Sequence, residues 1–312
     1  MKKVIFIGTD AIGVQLLEAL HHTPELELAL VVTGQDKSMG RKMLLTANPI
    51  KQKAIEHGLP VYQPEKVSAP ESVAKLKALQ PDFLVVMAYG QIVSQEVLDI
   101  PRVECLNVHT SLLPKYRGAS PIQSALLNGD EKTGVSLMRM VKAMDAGPVY
   151  AQFKLPIAPE DTAGILWERL SQLSANEIPQ AVIKISENSL MPAAQDESQA
   201  TYIQKISKAD GEINWSEPAD LIHRKVRAFN PWPSAFTFFE GKRLKLHKTK
   251  VFEQTVDQPV GTAIELPSGI GVVTGGGVLE LLEVQLEGKK RQFIQEFLNG
   301  NRGVVGVVLG ES

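Results

Sequence analysis

Short, almost unbroken apolar runs alternate with segments of helical apolar spacing through the first half of the chain. Val4–Gly8 (VIFIG), Leu28–Thr33, Asp82–Tyr89 (DFLVVMAY) and Val103–His109 read as buried strands. Val61–Gln63 is a shorter one, and Val135–Met140 and Val149–Ile157 follow. Between them, Ala11–His21, Pro70–Leu79 and Pro121–Leu127 carry helical spacing. Asn48-Pro49 supplies an N-cap and a first-turn proline for a helix that Gly58 ends. Thr162–Ser186 predicts a long helix capped by Asp161 or Thr162. Strands of this kind alternating with helices predict a parallel, doubly wound sheet. We therefore expect an α/β, Rossmann-like domain over residues 1–189.

The pattern then changes. Residues 190–208 lose periodicity and predict a linker. A helix at Pro218–Phe229 precedes Asn230-Pro231-Trp232-Pro233. Alternating strands follow at Ala235–Phe239, Arg243–Phe252, Gly261–Leu266, Gly269–Thr274 and Val278–Glu287. Glu240-Gly241, Pro267-Ser268 and Gly275-Gly276-Gly277 separate them as turn signals. Five short strands predict a small OB-like β-barrel domain over residues 209–312. Phe229, Trp232, Phe236, Phe238 and Phe239 are expected mostly in the core, and Trp232, between two prolines, is expected to be structural.

Composition adds three constraints. At 312 residues the chain is long enough for two cores. The single cysteine, Cys105, forbids an internal disulfide and a multi-thiolate metal site, which fits a reducing compartment. No stretch is apolar enough for a membrane span or a signal segment, so a cytoplasmic protein without a membrane partner is expected. The net charge of −2 hides a segregation. Lys37, Arg41, Lys42, Lys51 and Lys53 lie in a stretch without anions. Between Leu221 and Lys250, Arg224, Lys225, Arg227, Lys242, Arg243, Lys245, Lys248 and Lys250 face Glu240 alone. Two such runs in a near-neutral chain point to local anion-binding patches.

A Rossmann-like domain raises the question of a dinucleotide. The first turn is Gly8-Thr9-Asp10-Ala11-Ile12-Gly13, which lacks the middle glycine and puts Asp10 where a pyrophosphate would approach. Dinucleotide binding is disfavoured. More informative is Asn107-Val108-His109 at the carboxyl end of an apolar strand, where open α/β sheets place their ligands. Two residues apart, Asn107 and His109 point to one face. An amide donor beside an imidazole can polarise a carbonyl and move a proton. Asp145 sits in a loop before Gly147-Pro148, where it could either close an Asx turn or orient His109.

These residues carry a resemblance. Asn107-Val108-His109-Thr110-Ser111-Leu112-Leu113-Pro114-Lys115-Tyr116-Arg117-Gly118, followed by Met144-Asp145-Ala146-Gly147-Pro148, resembles the formyltransferases that use 10-formyltetrahydrofolate. The resemblance implies that Asn107, His109 and Asp145 are catalytic, and that Ser111, Leu112, Leu113 and Pro114 bind the folate. Two further segments, Thr33–Arg41 and Arg227–Ala235, resemble the branch of that family whose acceptor is initiator Met-tRNA. The implied activity is transfer of the formyl group to the α-amino group of that methionine, for translation initiation. Arg41, Lys42, Arg224, Lys225, Arg227, Lys245 and Lys248 become the expected tRNA contacts, and a monomer is expected. Thr9-Asp10-Ala11, Lys42 and Lys142-Ala143-Met144 depart from the family pattern. The alternatives are a formyltransferase acting on a sugar amine or glycinamide ribonucleotide, or a non-catalytic RNA-binding protein. The six histidines, at 21, 22, 57, 109, 223 and 247, show no ligand spacing with thiols or carboxylates, so no metal is expected.

Overall fold

The structure is a computed structural model that describes residues 1–39, 44–252, 254 and 256–310. Its contacts divide the chain into two compact units. One comprises Met1–Pro121, Lys132–Pro156 and Trp167–Ile203, and the other Ile122–Glu131, Ile157–Leu166 and Gln204–Ser312. The division differs from the expected cut after residue 189. Most of the expected linker belongs to the first unit, because Gln195, Glu197 and Tyr202 bond into it.

The first unit is built on a seven-stranded sheet. Its strands run in the order Val149–Pro156, Lys132–Arg139, Glu104–His109, Phe83–Met87, Lys2–Gly8, Leu26–Val32 and Val61–Tyr62. From Glu104–His109 to Val61–Tyr62 every pairing is parallel, and the Lys132–Arg139 strand runs antiparallel to both its neighbours. Val4, Ile5, Phe6 and Ile7 have no exposure, the burial on both faces that their continuous apolar run predicts. Each such side chain contributes roughly 1.5–3 kcal/mol through burial. The chain steps outward from Lys2–Gly8 in one direction, then returns to its other side at Phe83–Met87. At such a reversal, outside the carboxyl ends of the strands, open α/β sheets form their ligand crevice.

The first turn fills its own anion site. The Asp10 carboxylate accepts the Ile12 N–H at 3.0 Å and caps the short 3-10 helix Ala11–Gly13. A phosphate at that helix start would meet a resident carboxylate. The long helix is capped by Thr162, whose Oγ1 accepts from the Ile165 N–H at 3.3 Å, while Asp161 accepts from Ala158 in the turn before it.

The second unit holds an antiparallel sheet in the order Ala235–Phe239, Lys242–Phe252, Val278–Leu286, Gly269–Val273 and Ala263–Leu266. Ile222 and Val226 of helix Ala219–Ala228, and Ile294 and Phe297 of helix Ile294–Gly300, join its buried core. That last helix has no counterpart in the periodicity reading. Among the described residues no ladder joins Ala235–Phe239 to Ala263–Leu266, so no closed barrel is found and the expected OB-like barrel is reduced to an antiparallel sheet. Both edges are covered by irregular chain instead. The Ile213 N–H bonds the Phe236 carbonyl at 2.9 Å, and the Ala263 N–H bonds the Val307 carbonyl at 2.8 Å. Phe229, Phe236 and Phe239 are buried and Phe238 half-buried, whereas Trp232 is 49% exposed and therefore not part of the core. Among the described residues no helix is long and apolar enough to cross a membrane.

Candidate active site

Strand Glu104–His109 ends at the crevice, and its last alternate positions are Asn107 and His109. The sheet register sets Asn107 opposite Val86 and His109 opposite Ser136. The loop after Lys132–Arg139 brings Asp145 to them. Asn107 Nδ2 donates to Asp145 Oδ1 at 3.4 Å, and His109 Nδ1 lies 3.8 Å from Asp145 Oδ2. The three residues are 107 to 145 in sequence and form one cluster in space. The side chains of His109 and Asp145 are only 8% and 16% exposed.

The hydrogen bonds fix the imidazole tautomer. His109 Nε2 lies 2.9 Å from the Tyr116 carbonyl oxygen, which can only accept. Nε2 therefore carries the hydrogen, and neutral His109 presents a lone pair at Nδ1, on the side of Asp145. Nδ1 is thus the ring atom open to a proton from a reactant, and it lies 3.8 Å from the Asp145 carboxylate. Donation from Nδ1 follows protonation; it does not precede it.

Asp145 is held from several directions. Its Oδ2 accepts the Gly118 N–H at 2.8 Å, and its backbone carbonyl accepts from Gln195 Nε2 at 2.8 Å. The same amide nitrogen donates to the Gly147 carbonyl at 2.7 Å. Asp145 has a φ of +50°, a conformation aspartate tolerates better than most side chains. Gln195 is positioned in turn by Arg117, whose Nη2 donates to Gln195 Oε1 at 2.9 Å. Arg117 is fully buried and grips Glu197 through two nitrogens, at 2.9 and 2.7 Å. Glu197, Arg117, Gln195 and Asp145 thus form a chain of contacts from the surface to the cluster. No local sequence signal marks Gln195, which falls in the aperiodic segment; Arg117 is visible only as part of the longer motif.

Gly118 is the joint of this arrangement. Its φ of +122° and the 2.5 Å that would separate an added Cβ from the Ile203 carbonyl leave room for hydrogen alone. Replacing Gly118 by Ala is expected to destabilise the protein by roughly 1–3 kcal/mol. It should also lower kcat, because the N–H that holds Asp145 moves with it. Thermal unfolding and steady-state kinetics on the purified variant check both effects; an unchanged Tm would contradict this role.

The segment Ser111–Pro114 is clamped from behind. Ser111 Oγ donates to the Lys115 carbonyl at 2.7 Å, and Ser136 Oγ donates to the Ser111 carbonyl at 2.6 Å. Gln152 Nε2 donates to the Leu113 carbonyl at 2.7 Å. Ser111 and Leu113 are buried, so the surface this segment offers comes from the half-buried Leu112 and Pro114.

The expected basic contacts separate into groups. Arg41 and Lys42 lie outside the described residues. Lys51 pairs with Asp36 at 2.6 Å, and Lys53 with Glu18 at 3.1 Å and Glu56 at 2.8 Å, so the first run is partly neutralised. Arg224 pairs with Asp220 at 3.3 Å, Lys225 donates to the Glu212 carbonyl at 2.6 Å, and Arg227 donates to the Asp161 carbonyl at 3.2 Å. Lys248 and Lys250 are exposed and Lys245 half-buried on strand Lys242–Phe252. Simple alternation would put Lys245 and Lys248 on opposite faces. A register shift between Leu246 and Lys248 turns both outward, leaving Leu246 and Thr249 buried.

An amide, an imidazole and a carboxylate thus meet at the carboxyl edge of a doubly wound sheet, groups able to polarise a carbonyl and move a proton. Cys105 is buried in the same strand, and burial pushes its thiol far above the usual range. Comparisons with known proteins give the family. The Formyl transferase profile matches residues 1–182, and the profile of the Formyl transferase C-terminal domain matches residues 205–302. The chain belongs to the formyltransferase family. It is 41% identical over 309 residues to the methionyl-tRNA formyltransferase of Hydrogenovibrio crunogenus, covering 99% of this chain and 98% of that one. It is 43% identical over 310 residues to the methionyl-tRNA formyltransferase of Thiobacillus denitrificans, covering 99% of both. Among solved structures, the sugar 3N-formyltransferase WlaRD, crystallised with dTDP and 5-N-formyl-tetrahydrofolate, superposes with a TM-score of 0.66. At 18% identity, over 93% of this chain and 99% of that one, the likeness is one of fold.

Proposed function

We propose that the protein transfers the formyl group of 10-formyltetrahydrofolate to the α-amino group of methionine on initiator Met-tRNA. The observation that carries the choice of acceptor is the relatedness to methionyl-tRNA formyltransferases, which extends over 99% of the chain and both units. A sugar-amine or glycinamide-ribonucleotide acceptor, or RNA binding alone, leaves that full-length relatedness without a reason.

The folate supplies an activated formyl group on N10. The amine nitrogen attacks the formyl carbon, a C–N bond forms, and the carbonyl oxygen becomes an oxyanion. Asn107, whose contact with Asp145 is long at 3.4 Å, supplies an amide donor for that oxygen. His109 accepts the proton shed by the attacking amine at Nδ1, beside Asp145, and returns it to N10 as the C–N10 bond breaks. Asp145 keeps the imidazolium in place. The residues present suit this substrate: a polar cluster for the formyl group, and the half-buried faces of Leu112 and Pro114 for the ring. Ser111 and Leu113 act from within, by holding that segment.

For the acceptor, the outward cations Lys245, Lys248 and Lys250 form the phosphate-binding strip, and Arg41 and Lys42 are further candidate contacts by their charge. Trp232 adds an exposed ring on which a base can stack. Arg224, Lys225 and Arg227 serve the fold of the second unit first. A five-stranded OB-like topology, opened by the segments that cover its edges, is the closest description of that unit. We place the chemistry in the first unit and the tRNA grip mainly in the second, in a soluble monomer of the cytoplasm.

The test is an acceptor comparison with one donor. With 10-formyltetrahydrofolate, initiator Met-tRNA should be formylated with a kcat/KM at least about 10³-fold above glycinamide ribonucleotide or an amino-sugar nucleotide, the scale on which a site rejects a ligand lacking the groups it was built to bind. Preference for either small acceptor would overturn the assignment.

A further inference from the structure

Helix Val14–His21 follows the first strand, and helix Pro49–Glu56 precedes the short strand Val61–Tyr62. Both helices cross the sheet toward its amino-terminal edge, opposite the crevice that holds Asn107 and His109. They end side by side. His21 is the last residue of the first helix, His22 is its C-cap, and His57 is the C-cap of the second. Their rings converge, with centroids 5.1, 4.9 and 5.3 Å apart in the three pairs.

We propose that His21, His22 and His57 form a binding site for a divalent transition cation, zinc being the best suited. One ligand atom from each residue lies within 4.8 Å of the other two. Tetrahedral zinc with bonds of about 2.0–2.1 Å to imidazole nitrogen needs ligand atoms about 3.4 Å apart. With the ligand atoms already within 4.8 Å, closing on a cation is a matter of drawing the three rings together.

Four features favour a cation here. The ligands are imidazoles, the commonest side-chain ligands of such cations. Two helix C-termini meet at the trio, and their unbonded carbonyls present negative partial charge. The Glu18 carboxylate lies 3.3 Å from His57 Nε2, so it can accept that N–H and leave Nδ1 as the ligand atom. Glu18 is itself held by Lys53 at 3.1 Å. Finally, His22 is exposed while His21 and His57 are half-buried, which leaves an entry path and room for water to complete the coordination. No ligand spacing is visible in the sequence, because two of the histidines are adjacent and the third comes from another helix.

The experiment is isothermal titration of the metal-stripped, full-length protein with zinc chloride at pH 7.5. One zinc per chain is expected. His22→Gln and His57→Gln should each weaken binding by more than about tenfold, while His247→Gln, in the other unit, should leave it unchanged. His22 is exposed, so its variant is expected to fold, and circular dichroism checks the His57 variant. Cobalt(II) absorption gives a second readout, with nitrogen-ligand d–d bands and no thiolate charge transfer. Formyl transfer by the His22 variant should equal that of the parent. Substoichiometric zinc, or equal zinc binding by the His22→Gln/His57→Gln double variant, would overturn the proposal.

Discussion

His109→Ala is expected to lower kcat by roughly 10²–10⁴-fold while leaving the fold intact, the usual consequence of removing a general acid–base. The size follows from how the ring is set. With Nε2 committed to the Tyr116 carbonyl, Nδ1 alone can exchange a proton with the reactants, and Asp145 Oδ2 at 3.8 Å steadies the charged ring. No other titratable nitrogen in the cluster can replace it, since Asn107 offers only an amide. The loss should appear in kcat and kcat/KM alike, with KM for the folate little changed, because the imidazole is needed mainly in the transition state. Steady-state kinetics at saturating Met-tRNA, with circular dichroism on the same sample, make the check. Turnover within tenfold of the parent would remove His109 from the proton transfer.

The second large effect concerns tRNA. Lys245, Lys248 and Lys250 project from one strand, and replacing all three with Gln should flatten the dependence of log K on log[salt]. Each phosphate contact contributes a slope of about −0.7 to −0.9, so the parent should lose roughly 20- to 40-fold more affinity than the triple variant between 50 and 200 mM salt. Folate affinity should not change. The matching triple change at Arg224, Lys225 and Arg227 should act differently, lowering Tm as well, because those side chains hold Asp220, Glu212 and Asp161 within the second unit. Filter binding across a salt series, beside thermal unfolding, separates the two. If the strand variant keeps the parent's slope, the phosphate strip lies elsewhere.

Much of this is legible in the sequence alone. The buried strands announced themselves as apolar runs, since a parallel sheet covered on both faces leaves no polar alternation. Asn107 and His109 could be paired from their spacing on a strand end. Asp145 could be joined to them only through resemblance, because a loop between distant strands carries no periodic signal. Gln195 was invisible for a related reason: it lies in an aperiodic segment, and its importance comes from four hydrogen bonds that no local pattern encodes. The phase of the basic strand also needed coordinates, because one extra residue near His247 reverses the faces that alternation assigns. The five-strand pattern suggests an OB-like barrel, yet both sheet edges are covered by the segments around 213 and 307, which read as loops. The charge runs misled most. A run without anions in sequence can meet its anions in space, as Lys51 does with Asp36 and Lys53 with Glu18.

The central claim is direct transfer of the formyl group to the amine, organised by Asn107, His109 and Asp145 with no covalent enzyme intermediate. A rapid-quench single-turnover reaction with formyl-labelled 10-formyltetrahydrofolate and initiator Met-tRNA tests it. The account predicts that label leaves the folate and appears on the methionine α-amino group at one and the same rate, with none on the protein at any time. Label accumulating on the protein before it reaches the tRNA, or none reaching the tRNA at all, would contradict it.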